Sequence, residues 1–177
     1  MKVLLFVLAV CMLTTSTRAQ TATSGSSGTS GAGSASAATV KVTGEVLKPL
    51  TLSAADLASM PRTTAVAKDK QGVEHSFSGV ALAEIFKEAG VTTGRQLRGE
   101  NLAKYVLVTC ADNYQVVFSL AELDSSFTDR VVILADQMEG KPLAPGVGPF
   151  RVIVPGEKKP ARNCFQVTAI AIKFAKD

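Results

Sequence analysis

The sequence is poor in the residues from which most metal sites and active sites are built, with one histidine and three cysteines in 177 residues. A lone histidine, His75, with no cysteine nearby cannot form a transition-metal site, because such sites need several nitrogen or sulfur ligands. We expect His75 to be an ordinary surface residue. Ser/His/Asp, glycine-rich phosphate-binding, Cys-x-x-Cys and haem motifs are also missing. Ordinary hydrolytic and nucleotide-dependent chemistry therefore has no support.

The chain also lacks a concentration of charge and a long apolar run. No segment gathers the lysine and arginine residues as a nucleic-acid interface requires, so we expect no nucleic-acid partner. The apolar run at residues 3–13 is much shorter than the roughly 20 residues of a membrane-spanning helix.

The first residues have the three parts of an export signal. Lys2 is the charged region, residues 3–13 are the apolar region, and Thr17-Arg18-Ala19 is a small-x-small cleavage site before Gln20. We predict a signal peptide over residues 1–19, a secreted or periplasmic protein, and no membrane span after cleavage. An uncleaved anchor is the alternative interpretation.

Cleavage would remove Cys11 and leave Cys110 and Cys164 as the remaining thiols. In an oxidising compartment the two could form a disulfide. The alternative is that both are small buried hydrophobic residues. Two cysteines are too few for a disulfide framework, so a hydrophobic core must hold the domain together.

Residues 20–38 are almost entirely serine, glycine, threonine and alanine, without charge. Such a segment cannot bury enough apolar surface to order itself, which predicts a flexible tether. At Thr39 the composition changes to alternating β-branched residues, and we place the start of a globular domain over residues 39–177 there.

Within the domain, short strands outnumber helices. Ser53 and Asp56 form a capping-box pattern for a short helix that ends at Met60-Pro61, and apolar spacing predicts the main helix over residues 79–89. Alternating or apolar stretches predict strands at residues 40–46, 62–68, 73–77, 105–110, 114–118, 131–135, 150–154 and 165–174. The connections are too short for regular βαβ crossovers, which favours an α+β fold with mixed sheets.

The order of these segments resembles the molybdopterin-binding domain of the sulfite-oxidase family. The matching stretches are LSAADLASMP, FSGVALAEIFKEAG, ADNYQVVFSLAEL, VVILADQMEGKPL, GVGPFRVIVPG and ARNCFQVTAIAI. The resemblance covers nearly all of residues 39–177 and is greatest to small secreted single-domain members. It implies a mixed-sheet fold with a few short helices and a molybdopterin cofactor.

The resemblance also implies a protein cysteine that binds molybdenum, on the segment before the Gly-Val helix. The matching residues here, 65–69, include Ala67 and Lys68 but no cysteine. Molybdenum bound through soft ligands requires a thiolate from the protein, and neither residue supplies one. We therefore predict a pterin or other small anion as ligand, no protein metal ligand, and no stoichiometric molybdenum.

Cys110 lies in a stretch, VTCADN, that looks locally like the family's cysteine segment. It follows the Gly-Val helix instead of preceding it, so accepting it as the ligand would break the order of every other segment. We interpret Cys110 as a buried strand residue, since Val106, Leu107 and Val108 precede it.

Asp112-Asn113-Tyr114 matches the family's Asp-Gly-Tyr, whose tyrosine faces the substrate pocket in catalytic members. The resemblance therefore implies that Asp112 and Tyr114 contact a bound ligand. Alternatively, Asp112 and Asn113 are turn residues and Tyr114 begins a strand. Asparagine at the position of the family's glycine still tolerates a left-handed backbone.

Arg151 stands in an otherwise apolar strand, where a charged side chain needs a partner. A guanidinium suits an anion such as phosphate, but an ion pair with Asp112 or Asp136 would explain the residue equally well. Arg162, with two neighbouring lysines, could extend the positive surface or simply lie in a solvated loop. We predict Asp112, Tyr114, Arg151 and Arg162 as the cofactor-binding residues.

Three functions remain open from the sequence. The first is a family member that binds a pterin or small anion without redox catalysis. The second is an active molybdopterin oxidoreductase of the sulfite-oxidase type, which would exchange electrons with a separate periplasmic redox partner. The third is a periplasmic protein-interaction module presented by its tether.

Overall fold

The computed structural model describes residues 38–175. The predicted signal peptide, and all of the predicted tether except residue 38, lie outside the described residues. The described part contains two α-helices and ten strands. The helices are Ala54–Ser59 (α1) and Leu82–Ala89 (α2), and the strands are Val40–Gly44 (β1), Leu50–Leu52 (β2), Arg62–Lys68 (β3), Glu74–Ala81 (β4), Lys104–Cys110 (β5), Gln115–Ser119 (β6), Ile133–Met138 (β7), Lys141–Pro142 (β8), Arg151–Ile153 (β9) and Val167–Phe174 (β10).

The strands form two five-stranded sheets. The first has the order β2-β1-β10-β5-β6, in which β1 and β10 are parallel and the other neighbours are antiparallel. The second has the order β3-β4-β7-β8, and β9 also pairs with β7 in an antiparallel manner. Mixed sheets with a few short helices confirm the predicted α+β class. None of the helices in the described part is long and apolar enough to cross a membrane.

Helix α1 begins with the predicted capping box. The Ser53 hydroxyl accepts the backbone amide of Asp56, while the Asp56 carboxylate accepts the backbone amide of Ser53. These two bonds satisfy amides that a helix start leaves without partners, so the local sequence determines where this helix begins.

Helix α2 is shorter than predicted, because residues 79–81 belong to β4. At Gly79 a Cβ atom would lie 2.1 Å from the carbonyl oxygen of Leu134 and 2.5 Å from the Cα of Ala135. The glycine therefore allows β4 to approach the backbone of β7 closely. Gly79, which the sequence pattern places at the start of a helix, instead marks a close contact between strands.

The hydrophobic core has two parts. The larger part takes buried side chains from both sheets and from α2, including Ile85, Phe86, Val108 and Leu134. The smaller part covers the other face of the second sheet and consists of Ala65, Ala67, Phe77, Ile133, Ala135, Leu143 and Ile153. Because both faces of the second sheet are packed, β7 reads as an apolar run without alternation at Ile133, Leu134 and Ala135.

Candidate functional site

A cavity of about 570 Å³ lies where several loops meet the ends of β5 and β9. Its wall includes the turn between β3 and β4, the turn between β5 and β6, and the segment that leads into β10. We call it the Arg151 cavity. The chemically relevant lining residues are Cys110, Asp112, Tyr114, Arg151, Cys164 and Phe165.

Arg151 is the first residue of β9, and its backbone pairs with Ala135 of β7. Its guanidinium carbon lies 4.9 Å from the centre of the Phe77 ring and 4.4 Å from the centre of the Phe165 ring. Cation–π contacts of this kind stabilise a charge without using its N–H groups. The two rings therefore position the guanidinium and leave its hydrogen-bond donors available.

The Nε of Arg151 is the only buried side-chain nitrogen or oxygen in the described part of the chain without a hydrogen-bond partner. Burial also lowers the pKa of this guanidinium from its ordinary value. An unpartnered buried donor costs free energy, so native proteins retain few of them without a reason. A ligand that accepts hydrogen bonds would relieve this cost.

Neither of the proposed carboxylate partners pairs with Arg151. Asp136 is held by Arg62, whose Nη1 and Nη2 donate hydrogen bonds to the two carboxylate oxygens of Asp136 at 3.1 and 2.5 Å. Asp112 accepts the backbone amide of Tyr114 at 2.9 Å. Among the described residues no ion pair to Arg151 is formed, so the structural ion-pair interpretation fails.

The turn after β5 has both of the features considered from the sequence. Asn113 has a φ of 66°, the left-handed conformation that asparagine tolerates. Asp112 caps the turn, and both it and Tyr114 also line the Arg151 cavity. The Tyr114 hydroxyl donates to the carbonyl of Ala161 at 3.0 Å, which ties this turn to the loop across the cavity. The turn and ligand interpretations are therefore compatible.

Arg162 does not line the Arg151 cavity. Its guanidinium pairs with Glu157, and its Nη1 donates to both carboxylate oxygens of Glu122 at 3.2 Å. It also lies over the Phe118 ring at 4.5 Å. Arg130 joins the same two glutamates, at 3.5 Å from Glu122. With its charge neutralised in this cluster, Arg162 has a structural role that the sequence did not reveal.

Cys110 and Cys164 are both buried, and both line the wall of the cavity. Both are free thiols, and each influences the pKa of the other. Burial raises the pKa of both thiols above the ordinary value, so they are neutral at neutral pH. The interpretation of Cys110 as a buried strand residue is correct, but its side chain also reaches a cavity.

Ala67 and Lys68, at the position of the family's metal-binding cysteine, line a second cavity of about 480 Å³. Asn163 lines both cavities and is buried, and its side-chain oxygen accepts the backbone amide of Val154 at 2.7 Å. The two cavities are thus neighbours that share one wall residue. The side chain that Ala67 contributes to the second cavity is a methyl group.

A larger surface groove, of about 720 Å³, lies elsewhere, between β2, α1 and α2. Its charged side chains are already paired, since Lys48 binds Glu88 at 2.8 Å and Asp56 belongs to the α1 capping box. A groove whose charges are satisfied offers less to a ligand than the unpartnered donor of Arg151. Volume alone therefore does not identify the site.

Phe77 and Phe165 are the site residues that the sequence did not predict. They lie 88 residues apart in the chain, Phe165 in the cavity wall and Phe77 in the core behind Arg151, and only folding brings both rings to the guanidinium. An arginine in an apolar strand with no carboxylate nearby in sequence was the available signal. That signal indicated an unusual environment for Arg151 but did not identify Phe77 and Phe165 as its neighbours.

The sequence model of the oxidoreductase molybdopterin binding domain matches residues 30–161, well over half of the chain. This chain belongs to that family. A comparison with curated proteins finds no similar sequence. Solved structures with this fold include the sulfane dehydrogenase SoxCD of Paracoccus pantotrophus, which is 23% identical with a TM-score of 0.60. The alignment covers 79% of this chain and 39% of the SoxCD chain, so the likeness concerns the fold.

Family membership implies molybdopterin, and the residues present fit only part of that cofactor. The Arg151 cavity offers an unpartnered cationic donor to an anionic group. The segment that the resemblance matches to the metal-binding cysteine contains Ala67 and Lys68, which supply no sulfur. In the described residues no three His, Cys, Asp or Glu side chains cluster in a way that could hold a metal ion. The Arg151 cavity therefore fits an anion, and residues 65–69 do not fit a thiolate-bound molybdenum.

Proposed function

We propose that this family member binds a pterin or another small anion in the Arg151 cavity and does not catalyse a redox reaction. The observation that carries the proposal is the guanidinium of Arg151, positioned by two phenylalanine rings and lacking a hydrogen-bond acceptor at its buried Nε. An oxyanion or the carbonyl edge of a pterin would supply that acceptor. The missing thiolate at Ala67 and Lys68 argues against molybdenum chemistry.

The position of Arg151 explains why it should dominate binding over the loop residues Lys158 and Lys159. Its backbone is fixed in β9 and its side chain is held by the two rings, whereas Lys158 and Lys159 are exposed on a loop. A preorganised guanidinium loses less conformational freedom on binding than a mobile lysine does. Tyr114 and Asp112 would contact the same ligand from the opposite turn.

Anion titration tests the binding site. Phosphate, sulfate and a soluble pterin are titrated into wild type, Arg151→Lys, Lys158→Ala and Lys159→Ala, and binding is followed by calorimetry. We expect Arg151→Lys to weaken binding at least about tenfold, because lysine cannot reproduce the guanidinium hydrogen bonds. The lysine variants should change affinity much less. Loss of binding in the lysine variants with an unchanged Arg151→Lys would refute the site.

The proposed absence of redox catalysis is tested by measuring how much molybdenum and pterin the purified protein contains. The protein is expressed in a host that makes molybdopterin, and molybdenum and pterin are measured in wild type and in Cys110→Ser. We expect no stoichiometric molybdenum in either protein. Near-stoichiometric molybdenum in wild type that is lost in Cys110→Ser would restore the active oxidoreductase. Absence of pterin together with no anion binding would favour the interaction module.

We also propose that the protein acts outside the cytoplasm, in the periplasm or as a secreted protein. The proposal depends on the signal-peptide pattern of residues 1–19 and on the tether that follows. N-terminal sequencing of the exported form should begin at Gln20. A mature protein that retains residues 1–13 would contradict it.

A further inference from the structure

The two cysteines of the domain come from distant parts of the sequence to one wall of the Arg151 cavity. Cys110 ends β5, and Cys164 lies in the segment between a short 3-10 helix, Pro160–Arg162, and β10. Both side chains line the same cavity, and each thiol is near enough to influence the pKa of the other. Two thiols in the wall of one cavity are the starting arrangement for a disulfide.

We propose that Cys110 and Cys164 are a redox-sensitive dithiol that a small disulfide oxidises through the cavity. The thiolate of one cysteine attacks a sulfur of the oxidant, which releases one small thiol and leaves a mixed disulfide on the protein. The second cysteine then attacks the protein sulfur, and a second small thiol leaves. The two protons of the cysteines end on the two released thiols, and the oxidant takes up both electrons.

The oxidation acts on the ligand site through Phe165. Cys164 directly precedes Phe165, whose ring lies 4.4 Å from the guanidinium of Arg151. A disulfide to Cys110 would anchor this segment to the end of β5 and hold the ring in place. Preorganisation of this kind strengthens binding by reducing the loss of freedom. The disulfide form is therefore the form with the higher anion affinity, a consequence that rests on the proposed function.

Burial sets how fast the pair reacts. Both thiols are nearly inaccessible from the surface, and their raised pKa values keep the reactive thiolate scarce at neutral pH. The oxidation should be slow at neutral pH and faster at mildly alkaline pH. It should be faster for small disulfides than for bulky ones, because the reagent must enter the cavity.

The test treats folded, fully reduced protein with hydroxyethyl disulfide or with oxidised glutathione and then alkylates remaining thiols under denaturing conditions. We expect wild type to lose the mass of two hydrogen atoms, to retain no alkylatable thiol, and to unfold at a higher temperature. The matched controls Cys110→Ala and Cys164→Ala should instead each carry one oxidant adduct. Wild type that stays fully reduced, or that takes up two adducts, overturns the proposal.

A second measurement separates this inference from the proposed function. Phosphate and pterin affinities are compared for the reduced and the oxidised wild type. Tighter binding after oxidation supports the coupling, and equal affinity in both forms overturns it. Binding in neither form, with the disulfide nevertheless formed, refutes the proposed anion site while the redox-sensitive pair stands.

Discussion

Phe165 lies against the guanidinium of Arg151, with the guanidinium carbon 4.4 Å from the ring centre. The ring is partly exposed and its neighbour in sequence, Cys164, is buried. The segment that carries both residues therefore connects the core to the cavity wall. The contacts of Arg151 and of other residues in the domain predict how substitutions should change stability and anion binding.

Arg151→Met should leave the protein as stable as wild type or make it more stable by about 1 kcal/mol. The substitution keeps the length of the side chain and removes a buried donor without a partner, whose burial costs free energy. Anion binding should be lost. Chemical denaturation measures the first effect and calorimetry the second.

The matched control for that variant is Arg62→Met, since Arg62 holds Asp136 with two hydrogen bonds. Its removal leaves a mostly buried carboxylate unpaired and should cost about 2 kcal/mol or more. If Arg151→Met destabilises the protein as much as Arg62→Met does, Arg151 has a structural partner and the ligand interpretation loses its support.

Arg162→Met should destabilise the protein by about 1–3 kcal/mol, because it leaves Glu157 and Glu122 without their main cationic partner in a partly buried place. Anion affinity should stay within about twofold of wild type, since the cluster neutralises this charge. Lys48→Met, which breaks a pair with both side chains more than half exposed, is the control and should cost less than about 1 kcal/mol. A strong loss of anion affinity in Arg162→Met would return this residue to the ligand site.

Asp124→Asn should destabilise the fold by about 1–3 kcal/mol at neutral pH. Burial raises the pKa of this carboxyl, but hydrogen bonds from the backbone amides of Gly94 and Ser126, at 2.6 and 2.8 Å, outweigh that effect and leave the pKa below its ordinary value. An asparagine side chain has only one oxygen to accept both amides.

The lowered pKa of Asp124 also predicts a pH dependence. A depressed folded-state pKa contributes stability that is fully present above the ordinary pKa of about 3.9 and is lost as the pH falls through the folded-state value. The difference in unfolding free energy between wild type and Asp124→Asn should therefore shrink in acid. Asp129→Asn, at an exposed position nearby, is the control. A difference that stays constant from neutral pH into acid would contradict this account.

Gly79→Ala should cost about 3 kcal/mol or more, above the usual cost of overpacking. The added Cβ would meet the backbone of Leu134 at 2.1 Å and that of Ala135 at 2.5 Å, and neither backbone can move without breaking the pairing of β4 with β7. Gly72→Ala has open space around its Cβ position and a φ of 85°, so only the backbone conformation is strained. It should cost about 1 kcal/mol. Thermal unfolding of both variants compares the two effects.

The local sequence predicted much of the fold. The capping box at Ser53 and Asp56, the apolar spacing of α2 and the turn at Asn113 were correct because each depends on neighbours within a few residues. The ordered set of segments also predicted the family, which the match to residues 30–161 establishes. The predicted start of α2 was wrong because Gly79 packs against β7, a strand more than 50 residues away in the sequence.

The residue types at the candidate site were likewise visible in the sequence, and their partners were not. The sequence by itself shows an arginine in an apolar strand. It also shows Ala67 and Lys68 where the order of the segments predicts a cysteine. Whether Arg151 is paired, whether Arg162 is free and whether Cys110 meets Cys164 depend on contacts over tens of residues. Packing decides such contacts, because a buried charge or thiol takes whichever neighbour the folded chain places beside it. Local sequence therefore determined the elements and the family, while tertiary structure decided which side chains remain available to a ligand.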